Sequence, residues 1–249
     1  LINVIKLLFS LNPFFIQIKF YIFVLNNNKR TMKTEFERYA TGHLGISSLK
    51  LHDYQNSMTP YILEERELRA TQMDIFSRLM MDRIIWIAGG IGEMTGVIVQ
   101  AQLMFLDNTD DKDITMHIDS PGGYVKAGLG IVDVMDYIKS DIITVNTGMA
   151  ASMGSVLLAA GTKGKRSSLR FSRTMLHQSS GGAVGNIQDA RISMDEWEKT
   201  NKLLFELLGK YCGKTAKRVE KDAARDLWLS ADEALKYKLI DEVIKTKGK

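Results

Sequence analysis

Short apolar runs alternate with longer amphipathic segments through most of the second half of this chain. Three runs are typical of buried strands, "DRIIWIAG", "DITMHID" and "DIITVN". Segments with helical spacing follow the first two, "TGVIVQAQLMFLDN" and "VKAGLGIVDVMDYIKS". Strands that alternate with helices of this length indicate βαβ units. The pattern therefore predicts an α/β fold with a largely parallel sheet.

Two helices are predicted nearer the C-terminus. Residues 188–211 form the longest helical segment, and charged residues occupy the positions outside its apolar face. That face consists of Ile192, Trp197, Leu203, Leu204, Leu207 and Leu208. A helix this long need not lie flat on one domain and could pack against another subunit. A shorter helix begins at "SADEALKY", where Ser230 and Glu233 have the spacing of a capping box.

The N-terminal part lacks such periodicity. Residues 32–73 mix charged and apolar positions, and "HDYQNSMTP" resembles a flexible link, so we expect this part to be mobile or ordered only by its neighbours. Residues 1–31 are apolar and end in bases, but polar residues interrupt every apolar run well short of the roughly 20 residues that a membrane span needs. They also lack the features of a signal peptide. We expect residues 1–31 to be a non-native extension and residues 32–59 a flexible segment or propeptide.

Charge and cysteine content narrow the function classes. The formal net charge of +4 arises from four bases in residues 1–31, which contain no acid, so the rest of the chain is formally neutral. No basic stripe remains that would indicate nucleic-acid binding. Cys212 is the only cysteine, which excludes an internal disulfide and fits a reducing compartment. We expect a cytoplasmic protein with no membrane or nucleic-acid partner.

Two glycine-rich turns suggest chemistry. "DSPGG" ends a strand with Gly122 and Gly123, whose amides can be approached without obstruction by a side chain. "TGMAASMGS" places Ser152 where a strand passes into a helix, and the first amides of a helix are unpaired. Such a hydroxyl resembles a nucleophile elbow, although Ala150 occupies the first glycine position of the G-x-S-x-G consensus. By itself, a turn of this composition is more typical of packing than of catalysis.

A serine nucleophile needs a base, and the chain has four histidines. His43 and His52 lie in the irregular N-terminal part, and His117 lies within a strand. His177 ends the strand "RTMLHQ" directly before a glycine-rich stretch, which suits a base and equally suits a surface histidine. Three aspartates could orient the base, and their spacing does not choose among Asp222, Asp226 and Asp241.

Residues 60–244 resemble the proteolytic subunit of the Clp protease family, a self-compartmentalising serine peptidase. The matching stretches occur in the same order: "DIFSRLMMDRIIWI", "VIVQAQLMFLD", "DSPGGYVKAGLGIVDVMDYI", "TGMAASMGSVLLAAGTKGKR", "SRTMLHQ" and "RDLWLSADEALKYKLIDEVI". The resemblance implies that Ser152 is the nucleophile, His177 the base and Asp226 its orienting acid. A triad is defined by geometry, so the order Ser, His, Asp is no objection.

The resemblance further implies a Clp protease/crotonase-like spiral of βαβ units with a projecting handle at the long helix. Residues 60–249 would be the peptidase domain, after a propeptide that ends shortly before Pro60. The N–H groups of Gly123 and Met153 would hold the oxyanion, and the substrate would bind as an added β-strand. The positions that would contact it are Gly122, Tyr124, Val125, Ser179, Gly181 and Gly182.

The implied partners are copies of the chain itself, in two stacked heptameric rings, or a paralogous Clp subunit. A hexameric AAA+ unfoldase would dock over hydrophobic pockets that include Leu103, His117 and Tyr137. The unfoldase would use ATP and feed unfolded polypeptides to the ring chamber, where they are cut to short peptides. The subunit itself would need no metal or cofactor.

Several positions depart from the family pattern. Asp119 replaces an asparagine and Ser179 a proline, and each is expected to alter the substrate groove slightly. His117 replaces a tyrosine of the docking pocket. Ala224 replaces an acid that pairs across the two rings, and the handle segment "NIQDARISMDEW" is also atypical. These departures predict altered ring contacts and a preference for a paralogous ring.

Two alternative functions remain at this point. A crotonase-type acyl-CoA enzyme also uses paired backbone amides, but it relies on glutamates instead of a serine–histidine pair. A catalytically silent or regulatory ring subunit is the other alternative, although such paralogues usually lose a member of the triad.

Overall fold

The computed structural model describes residues 61–66, 69–182 and 185–245, and for residues 61–73 it describes the backbone alone. The expectations for residues 1–31 and 32–59 lie outside these ranges, as do His43 and His52.

Helices and strands follow one another along the described residues. The strands are β1 Tyr61–Arg66, β2 Arg69–Asp74, β3 Ile84–Ala88, β4 Ile114–Ser120, β5 Ile142–Ala151, β6 Arg166–Leu169, β7 Arg173–Leu176, β8 Leu227–Ser230 and β9 Glu242–Ile244. The helices are α1 Ile75–Met81, α2 Glu93–Thr109, α3 Val125–Tyr137, α4 Met153–Ala160, α5 Ile187–Cys212, α6 Ala216–Asp222 and α7 Ala231–Tyr237. The predicted strand–helix alternation is confirmed.

One mostly parallel sheet organises the domain. Strands β3, β4, β5, β6 and β9 are neighbours in that order and all run parallel. Strand β5 extends beyond the run "DIITVN" from which it was predicted. Its first half pairs with β6, and its last three residues pair in parallel with β7. Strand β8 then pairs antiparallel with β7. The α/β fold class and the largely parallel sheet are confirmed.

Helices α2, α3 and α4 cover the sheet and form the core with it. Ile87, Met116 and Ile118 of the sheet and Leu103 and Ile131 of the helices are almost completely buried. Burying one such side chain stabilises the fold by about 1.5–3 kcal/mol. In α4, residues Met153 to Ala159 are all buried, so the residue that precedes this helix is held at a fixed place at the edge of the core.

The first two strands differ from the expectation of an irregular segment. Strands β1 and β2 pair antiparallel, with Tyr61 opposite Asp74 and Arg66 opposite Arg69. Charged residues interrupt both strands in the sequence, so neither shows a hydrophobic alternation. Backbone pairing forms this hairpin without the pattern on which strand prediction depends.

The long helix predicted at residues 188–211 is confirmed as α5. Asn186 caps its start and Gly213, in the left-handed region, ends it. Of its first ten residues all but Ala190 are exposed, whereas Leu204, Phe205 and Leu208 in its second half are buried. The first ten residues therefore extend away from the core, and the buried contacts of this helix lie in its second half. The predicted capping box at Ser230 and Glu233 is also present.

Candidate active site

Ser152 occupies a strained turn between β5 and α4. Its backbone has φ 54° and ψ −123°, a region that L-residues other than glycine rarely adopt. Such a conformation costs on the order of 1–3 kcal/mol and persists only where the surroundings impose it. Here the Ser152 N–H donates to the Met175 carbonyl at 2.9 Å, and the Ser155 hydroxyl donates to the Ser152 carbonyl at 2.6 Å. The turn has the strand-to-helix form of a nucleophile elbow.

Strand pairing brings His177 to this turn. Ala151, the last residue of β5, is the partner of Met175 in β7, so the chain reaches His177 just beyond the end of the pairing. The His177 Nε2 lies 2.8 Å from the Ser152 Oγ. This is hydrogen-bond distance, as a serine nucleophile and its base require.

Asp226 is opposite His177 because β7 and β8 run antiparallel. Leu176 pairs with Leu227, so the next residue of one strand faces the preceding residue of the other. The His177 Nδ1 and the Asp226 Oδ1 are 3.4 Å apart, and the aspartate side chain is 62% exposed. This contact is looser than the one to Ser152, and in such sites the geometry often tightens only when substrate binds.

The other two aspartates have different partners. Asp222 accepts hydrogen bonds from Arg218 and Tyr237, and Asp241 is bonded to the guanidinium of Arg166. Among the three aspartates left open by spacing, Asp226 is the one that contacts His177.

Gly122 and Gly123 bring main-chain amides up to the serine. Both have positive φ, at 94° and 153°. A Cβ on Gly123 would lie 2.3 Å from the Ile91 carbonyl oxygen. Ile91 donates to the Gly122 carbonyl at 2.9 Å and accepts from the Tyr124 N–H at 2.7 Å, which locks this backbone in place.

The second amide belongs to Met153. As the first residue of α4 it has no carbonyl partner within the helix. Gly123, Ser152, Met153 and His177 all line one small cavity. Amides in such a position can stabilise the negative charge that develops on a carbonyl under attack.

Some of the residues predicted to contact the peptide line this cavity, and others are exposed to solvent. Val125 and Ser179 line it, together with Ser180, which was not predicted. Tyr124, Gly181 and Gly182 are exposed. Leu176 and three residues of the long helix, Leu204, Phe205 and Leu208, form its apolar side. Leu204 and Leu208 belong to the apolar face that was expected to pack against another subunit, whereas Phe205 was not predicted on that face.

Leu103, which was predicted to line the docking pocket, does not reach the surface of the chain. Leu103 is 0% exposed, because it shares the inner face of α2 with Val99 and Leu106. The next two residues of this helix, Met104 and Phe105, are exposed apolar side chains. They could have been found by continuing the helical period from the buried positions.

The other two predicted docking residues are accessible. Tyr137, at the end of α3, is 79% exposed. His117 is half-buried in β4 and stacks on the partly exposed Trp86, with ring centroids 4.7 Å apart. Burial lowers the pKa of the His117 imidazole, which favours its neutral form.

Neither a metal centre nor a membrane span is found where the chain is described. Over residues 61–66, 69–182 and 185–245, no cluster of three His, Cys, Asp or Glu side chains could hold an ion. Within the same ranges no helix combines the length and the apolar character needed to cross a membrane.

Comparison with known proteins identifies the family of the chain. A sequence model of the Clp protease family matches residues 66–247. The ATP-dependent Clp protease proteolytic subunit of Bacteroides fragilis (strain YCH46) is 50% identical over 215 residues, which cover 84% of this chain and 98% of that protein. The protein of the same name from Porphyromonas gingivalis is 49% identical over 220 residues, 86% of this chain and 99% of that protein. The chain therefore belongs to the Clp protease family.

Proposed function

We propose that this chain is the peptidase subunit of an ATP-dependent Clp protease, a serine-type endopeptidase, with Ser152, His177 and Asp226 as its triad. The observation that carries the residue assignment is the 2.8 Å contact between the His177 Nε2 and the Ser152 Oγ at a strained strand-to-helix turn. The names of the relatives support the activity.

The first half of the reaction forms an acyl-enzyme. The Ser152 Oγ attacks the peptide carbonyl while its proton passes to the Nε2 of His177. The carbonyl oxygen becomes an oxyanion, which accepts hydrogen bonds from the N–H groups of Gly123 and Met153. His177 then gives the proton to the departing amine, and the C–N bond breaks.

The second half releases the product. Water attacks the ester, His177 takes its proton, and the same two amides hold the new oxyanion until the proton returns to the Ser152 Oγ. Asp226 keeps the other imidazole nitrogen, Nδ1, as the donor and stabilises the imidazolium that forms twice in each cycle. No step requires a metal or an organic cofactor.

Substrate would bind as an extended strand beside the two glycine-rich segments. Gly122, with its positive φ, and the exposed Gly181 and Gly182 keep side chains away from the backbone edges that such a strand would pair with. Ser179 and Val125 border the cavity between these edges. This arrangement favours unfolded polypeptides, because a folded protein cannot offer a free strand of main chain.

Assembly into rings belongs to the same proposal. The first half of α5 exposes Ile187, Ile192 and Met194, an apolar surface that contact with another subunit would cover. Stacked heptameric rings, of this chain alone or with a paralogous subunit, are the form that the family resemblance favours. Ala224, which cannot form the usual ion pair between rings, supports the mixed form.

A partner ATPase follows from the name of the relatives, and we propose that it is a hexameric AAA+ unfoldase. The exposed Met104, Phe105 and Tyr137, with the stacked Trp86 and His117, offer it apolar and aromatic surface. ATP would be used by that partner and not by this subunit.

Labelling of the proposed nucleophile tests the assignment. A fluorophosphonate probe should label wild-type protein and a Ser193→Ala control, whose exposed serine lies on α5, but not Ser152→Ala. Small-peptide hydrolysis should follow the same pattern. Equal peptidase rates in wild type and Ser152→Ala would favour a silent subunit, and acyl-CoA turnover without labelling would favour a crotonase-type enzyme.

A further inference from the structure

The segment that follows His177 is tied down on two sides. The Gln178 N–H donates to the Ala223 carbonyl at 3.2 Å, close to Asp226 in the chain. The next residue, Ser179, is bonded to helix α5 instead. The backbone that leaves the proposed base is therefore fixed to two different elements within two residues.

Three side chains form the second attachment, and we call Ser179, Trp197 and Asn201 the Ser179 clamp. The Asn201 Oδ1 accepts from the Ser179 N–H at 3.0 Å and from its hydroxyl at 3.1 Å. The Trp197 Nε1–H donates to the same hydroxyl at 2.6 Å. The hydroxyl thus donates once and accepts once. Trp197 and Asn201 are four residues apart, so they share one face of the helix.

The indole of Trp197 also supports the residues beyond. A Cβ added to Gly181 would lie 3.3 Å from the Trp197 ring, so this glycine backbone rests directly against the ring. The clamp therefore determines how far residues 179–182 stand from α5.

The clamp reaches the cavity that holds the proposed nucleophile through Ser179. Ser179 and Ser180 line that cavity together with Ser152 and His177. Leu204, Phe205 and Leu208, from the next turns of the same helix, form its apolar side. One helix therefore both forms a cavity wall and holds the polar edge that faces it.

We propose that Trp197 and Asn201 are positioning residues, which act through Ser179 to hold the edge 179–182 where a bound peptide can pair with it. This inference rests on the proposed function, because it assumes that peptide binds beside Ser152. A bound peptide pairs with this edge equally well in the ground state and in the transition state of the reaction. Its loss therefore raises KM and leaves kcat almost unchanged.

The first experiment compares Asn201→Leu, Asn201→Asp and the control Thr200→Ala, whose hydroxyl bonds only to the Glu196 carbonyl of its own helix. KM and kcat are measured with a fluorogenic peptide of about eight residues, beside the rate of fluorophosphonate labelling of Ser152. Loss of both bonds to Asn201 should raise KM about five- to ten-fold. The kcat and the labelling rate should stay within about two-fold. Asn201→Asp keeps an acceptor oxygen in place, so it should restore KM, and Thr200→Ala should match wild type.

A second variant tests the same inference if Asn201→Leu does not fold. Trp197→Phe keeps an aromatic ring against Gly181 and removes only the indole donor, so it should raise KM about two- to three-fold. An unchanged KM in both variants would overturn the inference. The inference would also be overturned if kcat and the labelling rate fell equally and Asn201→Asp did not restore them. That result would mean that Asn201 supports the fold as a whole and does not position the edge 179–182. Absence of labelling in wild type would instead refute the proposed function.

Discussion

A Cβ atom added to Gly122 would lie 2.6 Å from the Cβ of Ser152, so these two residues can face each other only because residue 122 has no side chain. The same added atom would lie 2.9 Å from the Met153 amide nitrogen. The glycine is therefore required by the site itself and not only by the turn in which it lies.

Gly122→Ala should reduce peptide hydrolysis by about 100-fold or more, because the methyl group displaces the serine or an oxyanion donor. Gly164→Ala is the matched control: Gly164 has a similar φ of 89°, with nothing within 4 Å of an added Cβ. Gly164→Ala should lose roughly 1–2 kcal/mol of stability to the positive φ, and Gly122→Ala should lose at least as much. Steady-state assays and thermal unfolding would check this, and similar activity in the two variants would contradict the steric argument.

Asp226→Asn should lower kcat by about 100- to 1,000-fold, since the amide no longer stabilises the imidazolium or enforces the tautomer of His177. The effect should fall below that of a fully buried triad aspartate, because Asp226 is largely exposed and 3.4 Å from the ring. Asp222→Asn, the same change at a residue bonded to Arg218, should keep nearly full activity. If the Asp222 variant were the inactive one, the acid would be misassigned.

Asp241→Asn should destabilise the domain by about 3 kcal/mol, because it leaves the guanidinium of Arg166, 4% exposed, without its charge partner. This corresponds to a fall of about 6–12 °C in Tm. Glu206→Gln, which affects an exposed 3.9 Å pair with Lys202, should shift Tm by no more than a degree or two.

The same pair makes stability depend on pH. Hydrogen bonds from Arg166 lower the pKa of Asp241 below the ordinary value of 3.8. Its contribution is therefore complete above that ordinary value and is lost as pH falls through the lowered pKa of the folded state. Thermal unfolding from pH 7 to pH 2 should show the difference between wild type and Asp241→Asn shrinking below about pH 4. A difference that grows in acid would contradict this sign.

Phe105→Ser should reduce unfoldase-dependent degradation of a protein substrate and leave small-peptide hydrolysis within about two-fold, because this side chain is 61% exposed and outside the catalytic cavity. Leu103→Ala, two residues earlier, should instead cost about 2–5 kcal/mol of stability as a cavity in the core. Degradation with and without the ATPase, beside thermal unfolding, separates the two effects. A docking defect without destabilisation in Leu103→Ala would restore the original assignment.

Local periodicity was sufficient to predict many of the helices and strands of this fold. The apolar runs at "DRIIWIAG" and "DITMHID", the helical spacing of residues 188–211 and the capping box at Ser230 all correspond to observed elements. Each of these signals depends on neighbours a few residues apart, and such neighbours determine hydrogen bonding and burial within one element. The hairpin of β1 and β2 was missed because its charged strands carry no such signal.

The arrangement of the site depends on contacts that no local pattern contains. The spacing of residues could not choose among Asp222, Asp226 and Asp241 as the orienting acid. It also could not decide whether His177 is a base or an ordinary surface residue. Only the resemblance to a known family pointed to Asp226 and His177. The structure brings His177 to Ser152 through the pairing of β5 with β7, and Asp226 to His177 through the pairing of β7 with β8. Which strands pair depends on burial of the whole sheet against its helices. Many of the helices and strands could therefore be predicted from the sequence, whereas only tertiary packing brings the three side chains together.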